Sequence, residues 1–137
     1  MMTWNWDDPL ARMPEETLRA LQAFHDYEAM GPGRSLPLLS KGYRNELPED
    51  HALWPFFQKY RSTADKPGEK APTRNPGTVE GWSSRFCWQA RIARLMEIRK
   101  EQREAERLAR QMVLEDRDWE DGAALRDRVM EQSLIHI

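Results

Sequence analysis

Cysteine and histidine are scarce in this chain of 137 residues, which has one cysteine and three histidines, His25, His51 and His136. A single cysteine excludes an internal disulfide, and the scattered histidines do not have the spacing of a metal site. Cys87 lies between Phe86 and Trp88, so we expect a buried thiol rather than a catalytic nucleophile. His25 is predicted to be a core histidine with one hydrogen bond.

The sequence also lacks the motifs of common nucleotide-binding and catalytic sites. Its Gly31-Pro32-Gly33 run has neither the lysine nor the preceding strand of a phosphate-binding loop. Serines occur without a matched histidine and acid, and Glu49-Asp50-His51 lies in a proline-flanked loop where Asp50 is predicted to cap a helix. We therefore expect a protein that is not an enzyme and that uses no metal or cofactor.

No apolar run approaches the roughly 20 residues that a membrane-spanning helix requires. The first residues, Met-Met-Thr-Trp-Asn-Trp-Asp-Asp, have neither the basic region nor the apolar core of a signal peptide. We expect a soluble, unexported, cytoplasmic protein with no membrane partner, and the use of a single cysteine fits that compartment.

Charge is distributed unevenly, although the formal net charge is only −2. Residues 1–56 carry 5 basic and 9 acidic side chains (−4), residues 57–110 carry 13 and 7 (+6), and residues 111–137 carry 3 and 7 (−4). A basic middle can bind the phosphates of a nucleic acid, and it can equally pair with the acidic ends of neighbouring subunits. The charge pattern is compatible with both interactions.

Hydrophobic periodicity predicts an all-α fold, with a small helix-turn-helix-like domain followed by a long projecting helix and a short C-terminal helix. Residues 1–13 are predicted to be an arm whose tryptophans pack on the domain or on a neighbour. Residues 14–88 form the predicted domain, with an insertion at 43–74, and residues 89–137 form the predicted oligomerisation region.

The first predicted helix starts at Pro14 and ends near Met30, before the Gly-Pro-Gly turn. Its expected inner stripe consists of Leu18, Leu21, His25 and Ala29, widened by Phe24. A short second helix is predicted to follow, capped by Ser35, with Leu36 and Leu39 facing inward. Two helices joined by a glycine-rich turn are typical of the first half of a helix-turn-helix unit.

The segment from Asn75 to Trp88 has the pattern of a DNA-recognition helix. Asn75 can cap it, and Pro76 suits its first helical position. One predicted face is apolar and consists of Val79, Trp82 and Phe86, while the other is small or polar and consists of Gly77, Glu80, Gly81, Ser84 and Arg85. Small outer residues allow a helix to approach base edges in the major groove, and an ordinary surface helix has the same pattern.

The insertion at 43–74 contains four prolines and an aromatic cluster. The stretch 54–61 is predicted to make one or two helical turns that fix the insertion to the core. The remainder, 62–74, carries Lys66, Lys70 and Arg74. A basic wing that contacts the DNA backbone and a solvated loop both fit this composition.

A long helix is predicted after Trp88, with an apolar side that weakens over 99–104 and returns at Ala105. The residues expected to mediate self-association, as in a coiled coil with another copy, are Leu95, Ile98, Ala105, Leu108 and Met112. Acidic residues at 115–121 are predicted to break the helix. A last helix is then predicted from Ala123 to about Leu134, with Leu125, Val129 and Met130 on its apolar side.

These stretches resemble the helix-turn-helix packaging proteins of tailed bacteriophages, the terminase small subunits and their close relatives. The resemblance covers residues 15–42 and 75–98, about two fifths of the chain, and its most specific part is Trp82-Ser83-x-Arg85-Phe86-x-Trp88. It implies a DNA-binding domain for the viral packaging-initiation site, a helical region that forms an oligomer or ring, and a partner, the terminase large subunit. It also implies action in the cytoplasm of the bacterial host.

The resemblance further implies which residues contact double-stranded DNA. The residues placed near bases are Glu80, Ser84 and Arg85, and Thr78 is a DNA contact near the start of the same helix. The residues placed near phosphates are Arg34, Lys41, Arg91 and Arg94. Two other functions fit the same sequence, namely a phage protein-interaction adaptor or inhibitor and a helix-turn-helix transcriptional regulator.

Overall fold

The computed structural model describes residues 4–135, and it describes side chains for residues 4–117. Within these ranges the chain is helical and has no strand, which confirms the predicted all-α class. The helices are α1 (Leu18–Ala29), α2 (Leu36–Tyr43), α3 (Trp54–Phe57), a 3-10 helix (Gln58–Tyr60), α4 (Pro76–Arg85) and α5 (Trp88–Ile135). The chain divides into two compact units, Met1–Met96 and Glu97–Ile137.

Helix α1 begins later than expected and buries a different face. Thr17 is its N-cap, and the Thr17 side chain accepts a hydrogen bond from the Ala20 amide. The buried residues of α1 are Ala20, Ala23, Phe24, Asp26 and Tyr27. Leu18 is 71% exposed and His25 is exposed, so the predicted inner stripe was wrong. Two alanines on the observed face allow neighbouring helices to approach closely, which a stripe of larger side chains does not.

Helix α2 confirms its predicted cap and its predicted inner residues. The Ser35 side chain accepts a hydrogen bond from the Leu38 amide at 3.2 Å. Leu39 is fully buried, and Leu36 packs against the core while remaining partly exposed. Helices α1, α2 and α4 pack against one another in pairs. This three-helix arrangement positions α4 in the first unit.

The insertion is fixed to the core by its aromatic segment, as predicted. Phe57 and Tyr60 are buried, and both rings meet the Tyr43 ring edge-on. The predicted cap at Asp50 was wrong, because Leu53 is the N-cap of α3 and it provides no side-chain hydrogen bond. Instead, the His51 ring accepts a hydrogen bond from the Leu53 amide within the preceding turn.

Two residues, Phe86 and Cys87, separate α4 from α5, and the turn is made at Cys87. Its φ of 54° lies in the left-handed region, which residues other than glycine rarely adopt. Phe86 and Trp88 are both buried, whereas Cys87 is exposed, so the predicted burial of the thiol was wrong. The left-handed turn places the two aromatic neighbours inside and leaves the cysteine at the surface.

Helix α5 runs from Trp88 to Ile135 without the break that was predicted at 115–121. This stretch contains no proline, and Gly122 disfavours a helix by only about 1 kcal/mol. The predicted separate helix from Ala123 is therefore part of α5. Its predicted apolar side chains lie outside the described side chains. Among the described residues, no helix combines the length and the apolar character needed to cross a membrane.

Candidate nucleic-acid interface

Helix α4 places its two faces as the sequence predicts. The Asn75 side chain accepts a hydrogen bond from the Gly77 amide at 2.9 Å, which confirms the predicted cap. Val79 is buried and Trp82 is partly buried against the core. The exposed residues are Gly77, Glu80, Gly81, Ser84 and Arg85. The insertion does not cover this face, so a ligand can reach it.

Gly81 lies in the middle of the exposed face and has no role in internal packing. A Cβ atom built at this position meets nothing within 4 Å. Glycine inside a helix destabilises it by roughly 0.5–1 kcal/mol relative to alanine. The fold of this chain therefore gains nothing from a glycine here. Close approach of an external surface is a physical reason for the absence of a side chain.

Arg85 is exposed and forms a salt bridge at the surface. Its Nη2 atom lies 3.2 Å from Oε2 of Glu15, and both side chains are largely exposed. The guanidinium carbon also lies 5.4 Å from the centroid of the Phe86 ring. Exposed salt bridges contribute little to stability, so Arg85 can exchange Glu15 for another anion.

Arg91 is the clearest departure from the predicted DNA contacts, because its side chain is fully buried. Its Nη1 donates to the Glu16 carboxylate at 2.7 Å, and its other donors reach the carbonyl oxygens of Pro9 and Ala11. The guanidinium carbon lies 3.8 Å from the centroid of the Phe24 ring. The predicted phosphate contact at Arg91 was wrong, since this arginine ties the arm to the helical core.

Two further arginines that were predicted to contact phosphates form contacts within the chain. Arg94 Nη2 lies 2.6 Å from Oδ1 of Asp7. Arg34 donates to the carbonyl oxygens of Tyr27 and Glu28 and so satisfies the last turn of α1. Both side chains are partly buried. Arg34 and Arg94 therefore stabilise the fold. Lys41 on α2, the fourth residue predicted to contact phosphate, is exposed.

The segment that precedes α1 supplies a set of acids that sequence reasoning missed. Three acids pair with arginines of α4 and α5, in the combinations Asp7 with Arg94, Glu15 with Arg85, and Glu16 with Arg91. Trp4 also packs on the domain, since the Arg91 guanidinium carbon lies 5.2 Å from its ring. The sequence pattern that could have indicated these pairs is the acidic excess of residues 1–56 beside a basic middle. The prediction from that pattern considered only contacts between subunits or with phosphate.

A buried carboxylate, Asp26, organises a second polar cluster. It accepts hydrogen bonds from the hydroxyls of Tyr43 at 2.7 Å and Tyr60 at 2.6 Å, and Lys59 Nζ lies 3.4 Å away. Burial is the main cause that raises the pKa of both tyrosines, and the Asp26 carboxylate raises each further. These phenols therefore keep their protons at neutral pH and join α1, α2 and the insertion.

The residues predicted to mediate self-association divide into two groups. Leu95 is only 6% exposed within the first unit, so its predicted role in self-association was wrong. In the second unit, Ile98 is partly buried, whereas Ala105, Leu108 and Met112 are exposed. These three remain available for a contact with another copy.

The described residues contain no group of three or more histidine, cysteine, aspartate or glutamate side chains arranged to hold a metal ion. Neither the family models, nor the curated proteins, nor the solved structures include a match to this chain.

Proposed function

We propose that this chain is a non-catalytic, oligomeric protein that binds double-stranded DNA through the exposed face of α4. Gly81 is the observation that carries the proposal, because its missing side chain has no internal explanation. A helix that enters the major groove needs small residues where the backbone approaches base edges. Arg85 and Ser84 lie on the same exposed face and can donate hydrogen bonds to bases.

In this proposal the side chains of α4 have separate roles. Arg85 donates two hydrogen bonds to a guanine, and Glu80 accepts one from a cytosine amino group. Thr78 and Lys41 contact nearby phosphates. Arg34, Arg91 and Arg94 are left out of the interface because they hold the domain together.

The resemblance to terminase small subunits extends the proposal to a biological role. The chain recognises the packaging-initiation site of a tailed phage and presents it to the terminase large subunit. Self-association through Ala105, Leu108 and Met112 brings several α4 faces to one DNA molecule. Enrichment of fragments from the genome that encodes the chain tests this role. We expect the bound fragments to map beside the gene for the ATP-hydrolysing subunit.

Substitution of Gly81 provides the direct test of the DNA-binding face. Gly81→Leu should weaken DNA binding by tenfold or more in a fluorescence anisotropy titration at fixed salt, because the leucine separates the helix from the bases. Ala93→Leu adds similar bulk at an exposed position on α5 and is the control. Equal affinities of both variants and the unmodified chain would contradict the proposal and favour a protein-interaction adaptor.

A further inference from the structure

Helix α5 carries a row of arginines on one face within the second unit. The row consists of Arg99, Arg103, Arg107 and Arg110. At about 100° per residue, these four positions fall within about 80° of one another around the helix, and they span about 16 Å along it. The next residues on this face are Leu114 and then Arg117. Glu106 lies beside the row, about 20° outside its arc, so the row is strongly but not purely basic.

Three arginines of this row are not stabilised by ion pairs within the described part of the helix. Arg103, Arg107 and Arg110 form no salt bridge with any residue whose side chain the structure describes. Glu106 is four residues before Arg110, yet these two side chains do not pair. Like charges four residues apart, such as Arg103 and Arg107, repel each other and destabilise a helix. An external anion would remove this repulsion.

The apolar residues of the same segment lie on the opposite side of the helix. Leu108 and Met112 are about 145–175° from the centre of the row by the same helical geometry. A helix bound to a membrane surface has basic residues that flank its apolar face. In α5 the arginine row instead lies opposite the apolar residues. Copies that associate through Leu108 and Met112 would instead keep their arginines facing outward. The arginine row thus remains accessible in the proposed oligomer.

We propose that the arginine row of α5 is a second DNA-contacting surface that binds the sugar–phosphate backbone of a duplex. Guanidinium groups donate paired hydrogen bonds to phosphate oxygens, and their charge is independent of pH in the physiological range. Backbone contacts carry no sequence information, so this surface adds affinity while the α4 face supplies specificity. This inference rests on the proposed function in one respect, because it takes duplex DNA as the polyanion that the arginine row binds.

The salt dependence of binding to a random-sequence duplex of about 30 base pairs tests this surface. The full chain with Arg103→Gln, Arg107→Gln and Arg110→Gln should show a slope of log affinity against log salt that is smaller by about 2–3, because each lost phosphate contact removes about 0.9. The control carries Arg12→Gln, Arg19→Gln and Arg61→Gln, which are exposed arginines in the first unit with the same change in charge. Circular dichroism confirms that both variants remain helical.

The outcomes separate this surface from the α4 face. Loss of slope in the α5 variant but not in the control supports the arginine row. Equal losses in both variants overturn it, because net charge alone then explains the effect. A changed oligomeric state with an unchanged salt slope also overturns it, since the row then contacts another copy. Gly81→Leu with unaltered sequence preference contradicts the α4 proposal alone, and an unmodified chain that does not bind duplex DNA contradicts both.

Discussion

The Arg91 guanidinium lies between the Phe24 ring and the Glu16 carboxylate, with its carbon 3.8 Å from the ring centroid and its Nη1 2.7 Å from the carboxylate. Both members of this salt bridge are fully buried. A buried charge that loses its partner is strongly destabilising, whereas an exposed pair contributes little. The chain contains both cases, because Glu15, the residue before Glu16, forms an exposed pair with Arg85.

Glu16→Gln should therefore destabilise the fold by about 3–5 kcal/mol, because it leaves the Arg91 charge buried without a counter-charge. Urea denaturation monitored by tryptophan fluorescence measures the change. Glu15→Gln is the matched control and should change the free energy of unfolding by less than about 1 kcal/mol. Similar losses in the two variants would show that the buried pair has no special role.

Glu15→Gln should also increase the affinity for DNA by about two- to fivefold. The substitution frees Arg85 from its 3.2 Å salt bridge and removes one negative charge beside the proposed interface. Anisotropy titrations at constant salt measure the effect, and Asp50→Asn provides an exposed acid-to-amide change in the insertion. The same gain in both variants would assign the effect to total charge rather than to Arg85.

The Asp26 cluster predicts a loss of stability at alkaline pH. Burial, reinforced by Asp26, raises the pKa of Tyr43 and Tyr60 above the ordinary value of 10.0. The unfolded chain therefore loses these protons near pH 10 while the folded chain retains them. The stabilisation is complete below that pH and decreases as the pH rises above it.

Urea unfolding at pH 8 and pH 10.5 tests the source of this dependence. Tyr43→Phe should be less stable at pH 8 by about 1–3 kcal/mol, because Asp26 loses a donor, and its stability should then fall less with rising pH. Tyr27→Phe removes a buried hydroxyl that instead accepts a hydrogen bond from Gln89, and it is the control. An unchanged alkaline dependence in Tyr43→Phe would contradict this origin.

Self-association of α5 can be tested by placing charge on either of two faces. Leu108 and Met112 are 52% and 65% exposed, and Leu114 is 58% exposed on another side of the helix. We expect the unmodified chain to be oligomeric by light scattering at micromolar concentration and Leu108→Glu/Met112→Glu to be monomeric. Leu114→Glu should keep the oligomer, and a monomeric unmodified chain would refute the prediction.

Features that depend on neighbouring residues could be predicted from the sequence. The caps at Ser35 and Asn75 need only a side-chain oxygen two or three residues before a free amide. The apolar side of α4 could be predicted from its helical spacing, because the segment has no second row of apolar residues besides the one that contains Val79 and Phe86. These local rules were sufficient to place the exposed face of α4.

Features that depend on distant partners could not be predicted in this way. Helix α1 has two candidate stripes, and only its packing against other helices selects the one that contains Ala20 and Ala23. The burial of Arg91 requires Glu16, which is 75 residues away in the sequence. An arginine in a basic region is usually exposed, so its own neighbours gave no indication of this partner.

The same separation between Glu16 and Arg91 has a consequence for the order of folding. Joining two positions 75 residues apart closes a long loop. The conformational entropy that the chain loses on closing this loop opposes formation of the salt bridge. Helices α1, α2 and α4 contact one another over shorter separations. We therefore expect these helices to assemble first and the arm to dock last. During synthesis on the ribosome, Asp7 and Glu16 would have to wait for their arginine partners until the start of α5 emerges.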